Sequence, residues 1–133
     1  METMLTRLEW LVGADKIARL KDTSVALFGV GGVGSGALEA LVRAGVGRIV
    51  LIDGDKITPS NLNRQLITTG DTIGERKVDV AAHRALAINS NAIIETHDIV
   101  YTNEAYPSFI ESLHVDYVFD AIDMVTAKIS IIE

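Results

Sequence analysis

Short apolar runs alternate with stretches of helical spacing along the whole chain. Residues 24–28 (SVALF) form an apolar run too short for a helix, bounded by Lys21 and Asp22 before it and by glycines after it, which predicts a buried strand. Residues 33–44 place Leu38, Leu41 and Val42 at helical spacing with Gly45 as a stop, and 48–52 (RIVLI) read as a second buried strand. Helical spacing returns over 75–88, where Val78, Ala81, Ala82, Ala85 and Leu86 share one side. A third strand is expected over 92–100, a helix over 103–113 interrupted early by Pro107, a fourth strand over 116–122 and another helix from Met124. Ahead of all these, 14–20 reads as a short helix leading into a turn.

Strand alternating with helix predicts an α/β fold with a mainly parallel sheet covered on both faces. The right-handed crossover rule then favours a Rossmann-like, doubly wound order of 3-2-1-4, with ligand at the carboxyl ends of strands one and four. One segment breaks the rhythm: residues 53–73 (DGDKITPSNLNRQLITTGDTI) are polar, rich in turn formers and weakly periodic. A connection that long in a compact domain points to function. The chain stops at Ile131, Ile132 and Glu133 inside an apolar helical pattern without a stop signal. Residues 1–133 are therefore expected to be one Rossmann-like unit, the N-terminal part of a longer domain.

Composition narrows the chemistry. With 133 residues and 48% hydrophobic content the chain is about the size of one domain with a real core. Mixed charges summing to −6 advertise no polybasic arm, and the absence of cysteine excludes a thiolate zinc site and a cysteine nucleophile within these residues. The N-terminus lacks the apolar core of a signal peptide, and no run approaches the ~20 residues of a membrane span, so no membrane partner and a cytoplasmic location are expected.

Gly29, Gly31, Gly32 and Gly34 write GxGGxG between the first strand and its helix. The early glycines permit a tight turn and close approach of backbone to phosphate, and the last lets helix and strand pack. Backbone amides at the helix start face the anion, aided by the helix dipole. Asp53 closes the second strand, where a carboxylate can accept from both ribose hydroxyls. The turn alone leaves dinucleotide and ATP both open.

The polar segment after Asp53 favours a triphosphate. Asn61, Asn63, Arg64 and Gln65 cluster in SNLNRQ, and Lys77 comes next on the first turn of the next helix. Guanidinium and ammonium groups neutralise the charge that develops as pyrophosphate departs, a need that dehydrogenases do not have. A carboxylate at the end of the fourth strand, Asp123, suits a hard cation that bridges phosphates.

TRLEWLVG, GVGGVGS, LIDGD, SNLNRQ, GERK and DAID, in this order and over nearly the whole chain, resemble the ThiF/MoeB/HesA group, relatives of the ubiquitin-activating enzymes that adenylate carboxylates with ATP and Mg2+. GVGGVGS, EALVRAGVG, NLNRQ and DYVFDAID are most similar to its branch of tRNA threonylcarbamoyladenosine dehydratases, ligase-like enzymes that activate the threonyl carboxylate of a modified adenosine and cyclise it. The resemblance implies that residues 1–133 are an ATP-binding adenylation domain in which Asp53 holds the ribose, Asn61, Arg64 and Lys77 hold phosphates, and Asp123 holds magnesium. It further implies a homodimer in which Arg7 reaches the partner's ATP. Asn63 is read as a turn former or a support for its neighbours, Asp55 and Asp120 as supporting groups, and His83, His97 and His114 as ordinary histidines. Two alternatives stay open: adenylation of a ubiquitin-like sulfur carrier, and a non-catalytic nucleotide-binding or dimerisation module. A nicotinamide-binding domain stands last, because it leaves SNLNRQ and Lys77 without a role.

Overall fold

The computed structural model describes residues 1–133. Two helices, α1 (Thr6–Val12) and α2 (Ala14–Lys21), precede strand β1 (Ser24–Phe28), helix α3 (Gly32–Arg43) and strand β2 (Arg48–Ile52). After a long connection come α4 (Lys77–Ile88), β3 (Ile93–His97), α5 (Phe109–Leu113), β4 (Tyr117–Asp120) and α6 (Val125–Ile132). All strand pairs are parallel and the sheet order is β3-β2-β1-β4, the expected doubly wound arrangement.

The two central strands are apolar almost throughout because both of their faces are covered. Side-chain alternation divides them cleanly. Val25, Leu27, Ile49 and Leu51 face the larger core with Leu38 and Val42 of α3 and Val78, Ala81 and Ala85 of α4. Ala26, Phe28, Val50 and Ile52 face a smaller core closed by Tyr101 and Leu113. Burying each large aliphatic side chain contributes roughly 1.5–3 kcal/mol, so the α3–α4 face anchors the sheet. The edge strands differ: every residue of β4 is exposed.

Several boundaries depart from the sequence pattern. Helix α1 has no counterpart in that pattern; it is anchored by Leu5, whose methyl group lies 2.7 Å from where a side chain on Gly45 would begin. Strand β3 ends at His97 rather than residue 100: the Asp53 N–H donating to the His97 carbonyl is the last bond of the β2–β3 ladder, and beyond it Asp98 pairs with Arg76 at 3.3 Å. The helix expected over 103–113 is reduced to α5, because Pro107 disfavours helical backbone at Tyr106 and Ser108 takes a left-handed conformation with φ 60°. The connection after β2 contains two short 3₁₀ turns, Pro59–Asn61 and Gly70–Thr72, and is pinned back on itself by a bridge between Lys56 and Arg76.

Candidate functional site

The sheet order puts a crevice of about 700 Å³ at the carboxyl ends of β1, β2 and β4. Its floor is the glycine turn. Gly29 has φ 94°, and a side chain there would meet the carbonyl oxygen of Ala121 at 2.7 Å, so this turn presses directly on the backbone after β4. A side chain on Gly34 would overlap the carbonyl of Gly29, which is why α3 can start so close to β1 only with glycine at that position. Gly31 and Gly32 line the crevice, whereas Gly34 lies beneath it.

Asp53 fastens the end of β2 to this turn. One carboxylate oxygen accepts the N–H of Val30 at 2.9 Å, and the other accepts the N–H of Asp55 at 2.8 Å. Burial raises its pKa, while those two backbone donors and Lys77 oppose the rise. Each oxygen has taken one protein hydrogen bond and keeps acceptor capacity for a ligand hydroxyl.

The polar connection supplies the other wall. Arg64 lies over the glycine turn: its Cγ and Cδ are 3.6 Å from the position of a side chain on Gly32. Its guanidinium donates to the carbonyl of Ser60 and to the side-chain oxygen of Asn63, both at 3.0 Å, so Asn63 orients Arg64. Asn61 is buried, and its side-chain oxygen caps the Pro59–Asn61 turn by accepting the N–H of Thr58 at 2.9 Å; its NH2 group is left to donate to a ligand. Lys77 opens α4 and is buried to 6% exposure, with Asp55 as its ion-pair partner at 3.8 Å. A buried cation held that loosely is suited to an incoming anion.

Two contributors carry no role in the sequence pattern. Ser35 is fully buried: its hydroxyl donates to the carbonyl of Gly31 at 2.6 Å and accepts the N–H of Leu66 at 3.2 Å, stitching the polar connection to the glycine turn. Gln65 is also buried at the crevice, and its side-chain oxygen has no protein partner. The serine of GVGGVGS and the glutamine of NLNRQ stand next to residues assigned to the site, and this adjacency is the signal the sequence carries for them. The apolar side of the crevice, with Ile52, Ile99, Val100 and Ile122, is hidden in the sequence because residues 98–100 read as strand.

Asp123 comes after β4, lines the crevice and is exposed; none of the ion pairs of the chain engages it. No group of three or more acidic or histidine side chains forms a ready-made metal cage. That donor set fits magnesium, which is commonly bound through one or two carboxylates plus substrate phosphates. Arg7 is not part of the crevice: its side chain is exposed, stacks over Trp10 at 5.7 Å and lies 3.9 Å from Glu2.

Residues 5–133 match the profile of the ThiF family. The chain belongs to that family. Among relatives of this ThiF-family chain, the tRNA threonylcarbamoyladenosine dehydratase of Bacillus subtilis (strain 168) is 41% identical over 96% of the chain and 50% of its own length. Ubiquitin-like modifier-activating enzyme 5 of Drosophila mojavensis is 37% identical over 85% of the chain and 31% of its own length. Among solved structures, the E. coli tRNA N6-threonylcarbamoyladenosine dehydratase in complex with ATP superposes with a TM-score of 0.92 at 35% identity, covering 97% of this chain and 53% of that one. The chain spans about half the length of the curated dehydratases it matches. No helix is long and apolar enough to cross a membrane.

Proposed function

We infer that this ThiF-family chain carries the ATP site of an enzyme that activates a carboxylate by adenylation, and that the carboxylate is the threonyl group of threonylcarbamoyladenosine in tRNA. The observation that carries the reading is the meeting of Asp53, Arg64, Lys77 and Asp123 around one crevice floored by the glycine turn. The 41% identity to a dehydratase over 96% of the chain supports the choice of substrate.

ATP would lie with its ribose hydroxyls on Asp53, its base against the apolar wall at Ile99 and Val100, and its phosphates toward the glycine-turn amides, the Asn61 NH2, Arg64 and Lys77. A substrate carboxylate oxygen attacks the α-phosphorus, the bond to the β-phosphate oxygen breaks, and pyrophosphate leaves with an acyl-adenylate formed. The chain works by position and charge, so the step needs no side-chain nucleophile. Arg64 and Lys77 stabilise negative charge on the departing group. Magnesium held at Asp123 would neutralise phosphate charge. A nitrogen of the same nucleoside then attacks the activated carbonyl, AMP departs, and the sum is loss of water at the expense of ATP.

Arg7 would act from the second subunit of a homodimer; its place outside its own crevice suits that assignment. A cytoplasmic location accords with a tRNA substrate. A second reading, adenylation of the C-terminus of a ubiquitin-like protein, draws on the 37% identity to the modifier-activating enzyme.

ATP–pyrophosphate exchange separates the two. Exchange that requires tRNA bearing threonylcarbamoyladenosine is the expected result, and exchange that instead requires a Gly-Gly-terminated carrier protein would overturn the assignment.

A further inference from the structure

Asp123 hangs between the end of β4 and the start of α6, and its neighbours fix that short segment from both sides. On the strand side, the N–H of Ala121 continues the β1–β4 ladder by donating to the carbonyl of Phe28 at 2.8 Å. Asp120 then folds back: one carboxylate oxygen accepts the N–H of Ile122 at 3.1 Å. Its other oxygen accepts from Nζ of Lys128, one turn into α6, also at 3.1 Å. The first turn of α6 has no side-chain cap, so the Lys128–Asp120 pair is the polar tie between this helix and the strand end.

We propose that Lys128 and Asp120 form a clasp that positions Asp123 for its divalent cation. The inference rests on the reading of Asp123 as the metal-holding carboxylate. The pair is partly exposed, with side chains at 39% and 22%, and such pairs add little to global stability. Its effect is therefore local. Without it, α6 is held to the sheet only through Ile131, packed partly buried against the smaller core, and buried Ala127, and the backbone that carries Asp123 gains freedom. Groups that orient a metal ligand typically govern affinity by about 10–100-fold, and a lone carboxylate sharing an ion with phosphates has no second protein ligand to compensate for misplacement.

The test uses the full protein with a non-hydrolysable ATP analogue, with Mn2+ binding read by electron paramagnetic resonance and thermal unfolding measured in parallel. Lys128→Met and Asp120→Asn are each expected to weaken Mn2+ binding roughly tenfold or more, and the double variant is expected to lose no more than either single one. Lys128→Arg should restore near-normal binding. Lowered melting temperature with unchanged Mn2+ affinity in Lys128→Met, alongside weakened binding in Asp123→Asn, would reduce the clasp to a structural tie and overturn the proposal. Unchanged Mn2+ affinity in Asp123→Asn would instead remove the metal-site reading on which the clasp depends.

Discussion

Ser35 joins two parts of the site that lie far apart in sequence: its hydroxyl accepts the N–H of Leu66 at 3.2 Å while donating to the turn at Gly31. Ser35→Ala removes both bonds and leaves the Leu66 N–H without this partner, at a cost of about 1–3 kcal/mol. The connection that carries Asn61, Arg64 and Gln65 should loosen. Denaturant unfolding should show the destabilisation, and ATP titration should show weaker binding.

Gly34→Ala tests the close approach of α3 to β1. The added methyl group would overlap the carbonyl of Gly29, so turn and helix must separate. Overpacking of this kind typically costs about 1–3 kcal/mol. A lower melting temperature together with loss of ATP binding is expected, whereas Gly36→Ala, where the new group meets nothing within 4 Å, should melt like the parent or slightly higher.

Lys77→Met separates function from stability. It removes a buried cation whose ion-pair partner, Asp55, stands 3.8 Å away and is itself exposed, so the ligand-free protein should lose little stability, limited to the support Lys77 gives the buried Asp53 carboxylate. Activity should behave otherwise. Loss of a charge that meets the departing pyrophosphate should lower the exchange rate by roughly 10²–10³-fold, comparable to removal of a transition-state donor elsewhere. Unfolding and exchange measured on the same preparation check both halves.

Acid stability depends on two glutamates. Arg48 donates to both oxygens of Glu95, at 2.8 and 3.0 Å, and holds its pKa below the ordinary 4.5. Arg84 first, and then Arg43, does the same for Glu39. A lowered folded-state pKa contributes stability above 4.5 that is lost as pH falls through the folded value. Asp53, raised by burial, acts in the opposite sense. Unfolding measured between neutral pH and pH about 3 should show the decline, and Glu95→Gln should make it shallower.

The fold was legible because the central strands are buried on both faces and so appear as unbroken apolar runs; SVALF and RIVLI coincide with β1 and β2. Elements held by few contacts were harder to read. Helix α1 is seven residues long and buries none of them, so little packing enforces the apolar spacing of Leu8 and Val12, and β3 stops where its ladder to β2 stops, at the bond from the Asp53 N–H to the His97 carbonyl. Candidate residues stood out where a charged side chain has no packing reason to be present, as with Arg64 in an otherwise turn-like segment and Lys77 at the start of α4. Ser35 was marked only by its place beside the glycine turn, because a serine on a helix does not show which loop it will hold. The apolar wall at Ile99 and Val100 was silent for a related reason: a β-branched pair after a strand reads as more strand.

Asp53, Arg64, Lys77 and Asp123 line one crevice, and on the proposed function they converge on a triphosphate seated on the glycine turn. Equilibrium titration of the full protein with ATP and with NADH, repeated for Arg64→Ala, Lys77→Met and Asp123→Asn, tests it most directly. Saturable binding of ATP but not NADH is expected, with weaker ATP binding in Arg64→Ala and Lys77→Met and a lost magnesium dependence in Asp123→Asn. Binding of NADH in place of ATP, or ATP affinity and magnesium dependence unchanged in all three variants, would contradict it.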